Sequence, residues 1–278
     1  MKKLIVKGMM ILAAFIFMYP FVYIVVNSFA DNLELAQNLE PLIQNSEGFV
    51  KGSILPQYPT IASYIKVLLD TPEFFVAFWN SVKMAGGVVL CQLIIAVPAA
   101  WGLSKYDFKG KKLLLRLYFI LMLIPFQVRM FPEYLVLDRL KLLETYWAII
   151  FPGIFSTFAV VILYYFFRQI PKEGMETARL EGANEWQVFW KIGIPLGMPG
   201  IISMLTLSFI EYWNLIEQPM VFLKEQIRWP LALILPNISY TEAGVILASS
   251  VITCVPSVLI FLYGESYLEE GLYLSLKE

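Results

Sequence analysis

Histidine is absent from the 278 residues, and the two cysteines, Cys91 and Cys254, both lie in apolar runs. That leaves no imidazole for acid–base catalysis, metal ligation or switching near neutral pH, and the cysteines read as small buried residues rather than a disulfide or metal pair. No G-x-x-x-x-G-K-[ST] occurs, so the chain carries no ATP-binding loop of its own. Polar groups whose spacing suggests chemistry gather in two places. One is the stretch 171–196, where Glu176, Ala178, Arg179, Glu181 and Gly182 precede Trp186 and Phe189; charged and aromatic groups between two apolar runs are suited to contact with a partner. The other is Phe209-Ile-Glu211-Tyr-Trp213-Asn214. An aromatic face beside an amide can pack on a polar solute and hydrogen-bond to it, so Trp213 and Asn214 could meet a substrate. An interfacial aromatic belt with a helix-packing amide accounts for them as well. Glu211 is more pointed, because a carboxylate within a span usually faces a bundle interior or water, which makes it a candidate for a substrate pathway or for a structural pair, with a simple place near the interface as the alternative.

The first stretch reads as two short helices meeting at Gly182. The first is expected over about 172–180, and Gly182 can take the left-handed conformation that ends a helix without a side-chain penalty. Asn184 opens the second, and Gln187 three residues on completes a capping box in which each side chain satisfies the other's free backbone N–H. Trp186, Phe189, Trp190 and Ile192 give this helix apolar surface, and Pro195 is expected to end or kink it. On these features alone, the elbow could simply lie on the lipid surface.

Hydrophobic residues make up 59% of the chain, charged residues 15%, and the mean hydropathy is +0.68. Soluble domains carry about 25% charged residues, so this is a polytopic membrane protein, all-α, folded as one transmembrane domain. The net charge of −1 argues against a nucleic-acid partner. At about 20 residues per span, six spans are expected, near 8–30, 75–104, 113–135, 146–167, 196–214 and 243–263. The first run exceeds a signal-peptide core and lacks a clear small-x-small cleavage site, so it reads as a helix with Pro20 as a kink. More than half of the 21 Lys and Arg fall on one side if the N-terminus is inside: Lys2, Lys3 and Lys7, then Lys105, Lys109, Lys111, Lys112 and Arg116, then Arg168, Lys172, Arg179 and Lys191, and last Lys277. The positive-inside rule then makes both termini and the elbow cytoplasmic. Segment 31–73 is an outer loop, too polar to span and broken by Pro56 and Pro59, in which Thr60 could cap a helix over 61–69. Asn80-Ser81 is expected to begin the second span, with Lys83 near enough to the interface to snorkel.

Glu176-Thr-Ala-Arg-Leu-Glu-Gly182-Ala followed by Ile192-x-Ile-Pro-Leu196 resembles the "EAA" motif of permease subunits in ATP-binding-cassette (ABC) importers, roughly E-A-A-x-x-x-G, about nine residues, then I-x-L-P. Thr177 replaces the first alanine of that pattern and Ile194 its leucine. Flanking features are similar to the maltose-type, carbohydrate-uptake branch: the Asn80-Ser81 pair, the 98–105 end of the second span with its basic turn, Pro125, Pro132, the segment 140–145, the 169–171 approach to the elbow, and Phe209 to Asn214. At the C-terminal end Gly271-Leu272 match, whereas Glu265 and Ser266 stand where those permeases carry Gln-Arg. The resemblance covers nearly the whole chain. It implies a type I permease half in a prokaryotic inner membrane that joins a sister permease, two ABC ATPase subunits and an external solute-binding protein. ATP and Mg would be bound by the ATPases and no cofactor by this chain. The motif residues Glu176, Ala178, Arg179, Glu181 and Gly182, with Trp186 and Phe189, would couple to the ATPases. An importer permease for an amino acid, peptide or phosphonate shares the elbow and remains the alternative. A secondary transporter or channel commonly needs intramembrane ionisable relays, and the spans offer few charges.

Overall fold

The computed structural model describes residues 2–43, 55–235 and 242–275. Among them the regular structure is helical, apart from one isolated bridge between Ala30 and Pro59. Lys277 lies outside the described residues, as do the side chains of Gly271 and Leu272.

In chain order the helices are α1 (Lys2–Asn27), α2 (Asn32–Ile43), α3 (Ala62–Ile65), α4 (Pro72–Lys105), α5 (Lys111–Met122), α6 (Phe126–Arg139), α7 (Trp147–Ile154), α8 (Thr157–Gln169), α9 (Lys172–Leu180), α10 (Glu185–Val188), α11 (Ile194–Trp213), α12 (Glu217–Phe222), α13 (Leu231–Ile234) and α14 (Ala243–Ser275). Among the described residues five segments are long and apolar enough to cross a membrane, Val6–Asn27, Pro72–Lys105, Trp147–Gln169, Glu185–Trp213 and Ala243–Glu269, and the bent pair Lys111–Met122 with Phe126–Arg139 makes six if it counts as one span. The stretch expected as a single third span, 113–135, is instead two helices, α5 and α6, bent by 103°. The cause is Pro125, which is extended at φ −66° and ψ 155° and has no N–H to continue the α5 ladder.

The chain divides into two compact units. The first comprises Met1–Val76 and Ile234–Pro256. Here Asp31 caps α2, its carboxylate accepting from Leu33 N–H at 3.1 Å. Glu34 accepts from Gln57 N–H and Tyr58 N–H, so segment 31–73 is folded back on itself rather than being a plain loop. Thr60 Oγ1 accepts from Ala62 N–H at 3.1 Å, and α3 runs on through a π-helical turn, Lys66–Asp70, so the expected short helix is present. Asn32 Oδ1 accepts from Gly244 N–H at 3.0 Å, and Lys66 pairs with Glu242 at 2.6 Å.

The second unit comprises Ala77–Leu233 and Ser257–Glu278. Among its described residues are two buried apolar clusters. One gathers Trp101, Phe167, Val188, Phe189 and Met204; the other gathers Met84, Ile149, Trp213 and Phe222. Gln92 is fully buried, and its Nε2 donates to Gly153 O at 2.8 Å. α4 begins at Pro72, more than two turns before Asn80, so Asn80-Ser81 does not open the helix. Instead the Asn80 amide donates to Ile227 O and Trp229 O, and accepts from Tyr146 OH at 2.7 Å. Ser81 Oγ accepts from Leu231 N–H, and the Lys83 ammonium lies 5.2 Å from the Tyr146 ring centroid.

Candidate functional site

The elbow is built by local backbone chemistry. α9 ends in a Schellman arrangement: Gly182 N–H bonds to Arg179 O at 3.0 Å and Ala183 N–H to Ala178 O at 2.9 Å. Gly182 has φ +91°. Nothing lies within 4 Å of a Cβ added there, so the backbone angle, and not crowding, asks for glycine. Asn184 and Gln187 form both bonds of the capping box at 2.9 Å. Arg179 then closes the elbow with two bonds to Glu185, Nε to Oε1 at 2.8 Å and Nη2 to Oε2 at 3.0 Å. Tyr106 OH donates to the same carboxylate at 2.5 Å, which ties the turn after α4 to the elbow. Burial first, and then the Glu185 carboxylate, push the Tyr106 phenol above its ordinary pKa. Lys105 Nζ donates to Ile170 O at 2.7 Å, holding the chain where it approaches α9.

Met175 and Phe189 anchor the elbow in the first cluster at 2% and 4% exposure. Phe189 lies 5.7 Å from Trp101 and stacks on Trp186 at 5.6 Å, so it supports the elbow from beneath instead of standing free to enter a partner's groove. The free apolar surface belongs to Leu180, 90% exposed, and to Trp186 and Trp190. Glu176 and Glu181 are exposed beside them, while Ala178 packs on the cluster. Pro195 does not end the second helix. Residues Phe189–Gly193 form a π-helical turn, and α11 continues from Ile194. Widening that turn moves aside the Lys191 carbonyl that a regular α-turn would press on the Pro195 ring. Gly193 lets the turn sit directly on Trp101, whose ring would lie 2.7 Å from an added Cβ.

The second candidate group divides. Trp213 is 1% exposed, lying 5.6 Å edge-on from Phe78 and stacked on Phe209 at 5.4 Å. Its ring is therefore core and offers no face to a sugar. Asn214 is exposed, but its amide donates to Ile210 O at 2.9 Å as part of the end of α11. Glu211 alone lines a cavity, an open cleft of about 480 Å³ whose walls also carry Arg129, Glu133 and Gln218. Arg129 Nη1 pairs with Glu133 Oε1 at 3.1 Å. Glu133 Oε2 and the nine-tenths buried Gln218 Oε1 accept no hydrogen bond from the described residues.

Residues 92–272 match the family described as "Binding-protein-dependent transport system inner membrane component". The chain belongs to this family. Among the permease's relatives, the arabinooligosaccharides transport system permease protein AraQ of Halalkalibacterium halodurans is 32% identical, with 93% of this chain and 90% of that protein covered. The polygalacturonan/rhamnogalacturonan transport system permease protein YtcP of Bacillus subtilis is 27% identical over 87% of this chain and 79% of its own. A chain in the crystal structure of a bacterial ABC transporter that imports the acidic polysaccharide alginate shares the fold, at TM-score 0.79 and 23% identity, with 95% of both chains covered.

Sequence reasoning missed Leu180 as the most exposed apolar side chain of the permease's elbow, and missed Arg129, Glu133 and Gln218 beside Glu211. Leu180 carried a signal, since it directly precedes the glycine turn and faces away from Met175. The cleft carried none, because it joins α6, α11 and α12 across the bend at Pro125.

Proposed function

We propose that this permease forms, with a sister permease, the membrane pathway for an oligosaccharide, and that the elbow at 171–195 is where ATPase subunits dock. The single observation that carries the coupling role is the arrangement of the elbow: a turn fixed by the Schellman bonds at Gly182, the Asn184–Gln187 box and the Arg179–Glu185–Tyr106 bonds, with Leu180, Trp186 and Trp190 exposed on it. A rigid, capped turn transmits displacement, and exposed large apolar groups rimmed by charge are the usual marks of a docking surface. Closure of the ATPase dimer would move the elbow, and α11, which continues from it without a loop, would rock between outward- and inward-open states. ATP and Mg would reside in the ATPases. The basic residues flanking the helices favour cytoplasmic termini and a cytoplasmic elbow. An oligosaccharide cargo is supported by the likeness to permeases named for arabino-oligosaccharide and polygalacturonan transport.

The test is purification of the chain with its partner subunits, followed by ATP-dependent uptake of arabinotriose and maltotriose into proteoliposomes with the external binding protein. Uptake that needs ATP, the binding protein and this chain supports the reading. Failure of any ATPase to co-purify with the folded chain refutes it, and uptake confined to an amino acid, peptide or phosphonate replaces the cargo.

A further inference from the structure

α3 and the π-helical turn that follows it, Lys66–Asp70, carry an apolar face that the protein itself leaves uncovered. Ile61, Ile65, Leu68 and Leu69 are all exposed, at the i, i+4, i+7, i+8 spacing that lines one side of a helix. Ala62 is exposed with them. Ser63 and Val67 are buried, and Lys66 is drawn off into its pair with Glu242. None of the five exposed apolar side chains has a hydrogen-bonding group or a charge.

The depth of this segment is set by α1. The apolar run of that helix, Val6–Asn27, has 22 residues. At 1.5 Å per residue it is about 33 Å long, close to the thickness of a bilayer's hydrocarbon core. Asn27 therefore marks the level at which hydrocarbon gives way to headgroups. Immediately beyond it, Ser28 Oγ is hydrogen-bonded to Tyr64 OH at 2.7 Å, Thr60 N–H donates to Phe29 O at 2.6 Å, and the Phe29 and Tyr64 rings lie 5.1 Å apart. α3 is thus pinned at the boundary, and its face adjoins the exposed apolar surface of the last turns of α1, where Phe21, Val22 and Val25 lie. A soluble partner suits this face poorly. Protein interfaces are anchored by Trp, Tyr and Arg and carry about one hydrogen bond per 100–200 Å², and a face of five aliphatic side chains offers neither.

We infer that Ile61, Ile65, Leu68 and Leu69 are buried in the headgroup and acyl boundary of the leaflet at the C-terminal end of α1, with the helix lying along the bilayer surface. The lipid bilayer is then the partner of this part of segment 31–73. The helix also holds the entry to α4 at a fixed depth, since Thr71 alone separates the π-helical turn from Pro72. The inference needs the chain to cross a membrane and is independent of its cargo.

Ile65→Cys and Leu69→Cys, each in a Cys91→Ala, Cys254→Ala background, are spin-labelled in the assembled importer in lipid nanodiscs. Collisions with oxygen and with a water-soluble nickel chelate are then read by power saturation. Both side chains are exposed, so the substitutions leave the packing intact. Greater access for oxygen than for the chelate, at a depth of about 5–10 Å into the boundary, is the expected result. Greater access for the chelate places the face in water and overturns the inference. So does low access for both: a sister permease covers the face if this holds in the importer alone, and the external binding protein covers it if this arises only after that protein is added. The labels report depth whether or not any saccharide is transported, so a failure of uptake bears on the permease reading and leaves this one intact.

Discussion

Arg179 and Glu185 face each other across Gly182 and are joined by two parallel bonds, at 2.8 and 3.0 Å, so the two helices of the elbow are held at a fixed angle by one side-chain pair. The planar guanidinium fork suits a carboxylate better than an ammonium would. Both side chains are substantially exposed, at 36% and 52%, so solvent screens the pair and its contribution to global stability is small. Arg179→Lys should shift the thermal midpoint by less than about 2 °C while lowering substrate-stimulated ATP hydrolysis more than basal hydrolysis. A large loss of midpoint would assign the pair to folding instead.

Gly182 separates backbone from bulk. Its φ of +91° penalises most side chains by about 1–2 kcal/mol, but asparagine tolerates the left-handed region. Gly182→Asn should therefore retain most coupling and Gly182→Val should lose stability, as read by thermal unfolding of the detergent-solubilised complex. Equal midpoints for the two variants would mean that the angle is not maintained.

Trp213 should behave as core. Trp213→Ala should cost about 3–5 kcal/mol and appear as loss of monodisperse protein in fluorescence-detected size exclusion. A well-folded Trp213→Ala variant with altered sugar selection would return the indole to the pathway.

Neutral pH should leave the elbow unaffected. No histidine is present, and the Tyr106 phenol has a raised pKa in the fold. A raised folded pKa means that the bond to Glu185 is fully present at neutrality and is lost only as pH rises past the ordinary tyrosine value of about 10. ATPase association measured between about pH 5.5 and 7 should be flat for the parent chain and for Tyr106→Phe alike, with Tyr106→Phe uniformly weaker. A step near pH 6.5 in the parent would contradict this.

The elbow was legible in the sequence because its determinants are local. The glycine turn, the Asn184–Gln187 box and the 172–180 helix each lie within a few residues, and the family motif coincides with them. The helix end expected at Pro195 does not occur, because a π-helical turn, which no propensity announces, absorbs the proline. Phe189 and Trp213 looked like contact residues because an aromatic beside polar groups looks the same whether its face is covered or free. What covers them comes from Trp101 and Phe78 on α4, far away in sequence. The bend between α5 and α6 had its signal in Pro125, but the hydropathy of 113–135 concealed it, and with it the cleft.

The most direct test of the coupling role is substrate-stimulated ATP hydrolysis by the fully assembled importer carrying Gly182→Trp. The open space around Gly182 lets the indole project outward, and the strain of a side chain at φ +91°, about 1–2 kcal/mol, is small enough for the complex to insert and assemble, yet the bulk stands where a docked subunit would lie. Intact assembly with stimulation abolished is the predicted result; stimulation equal to that of the parent chain, in an assembled variant, would contradict coupling through the elbow.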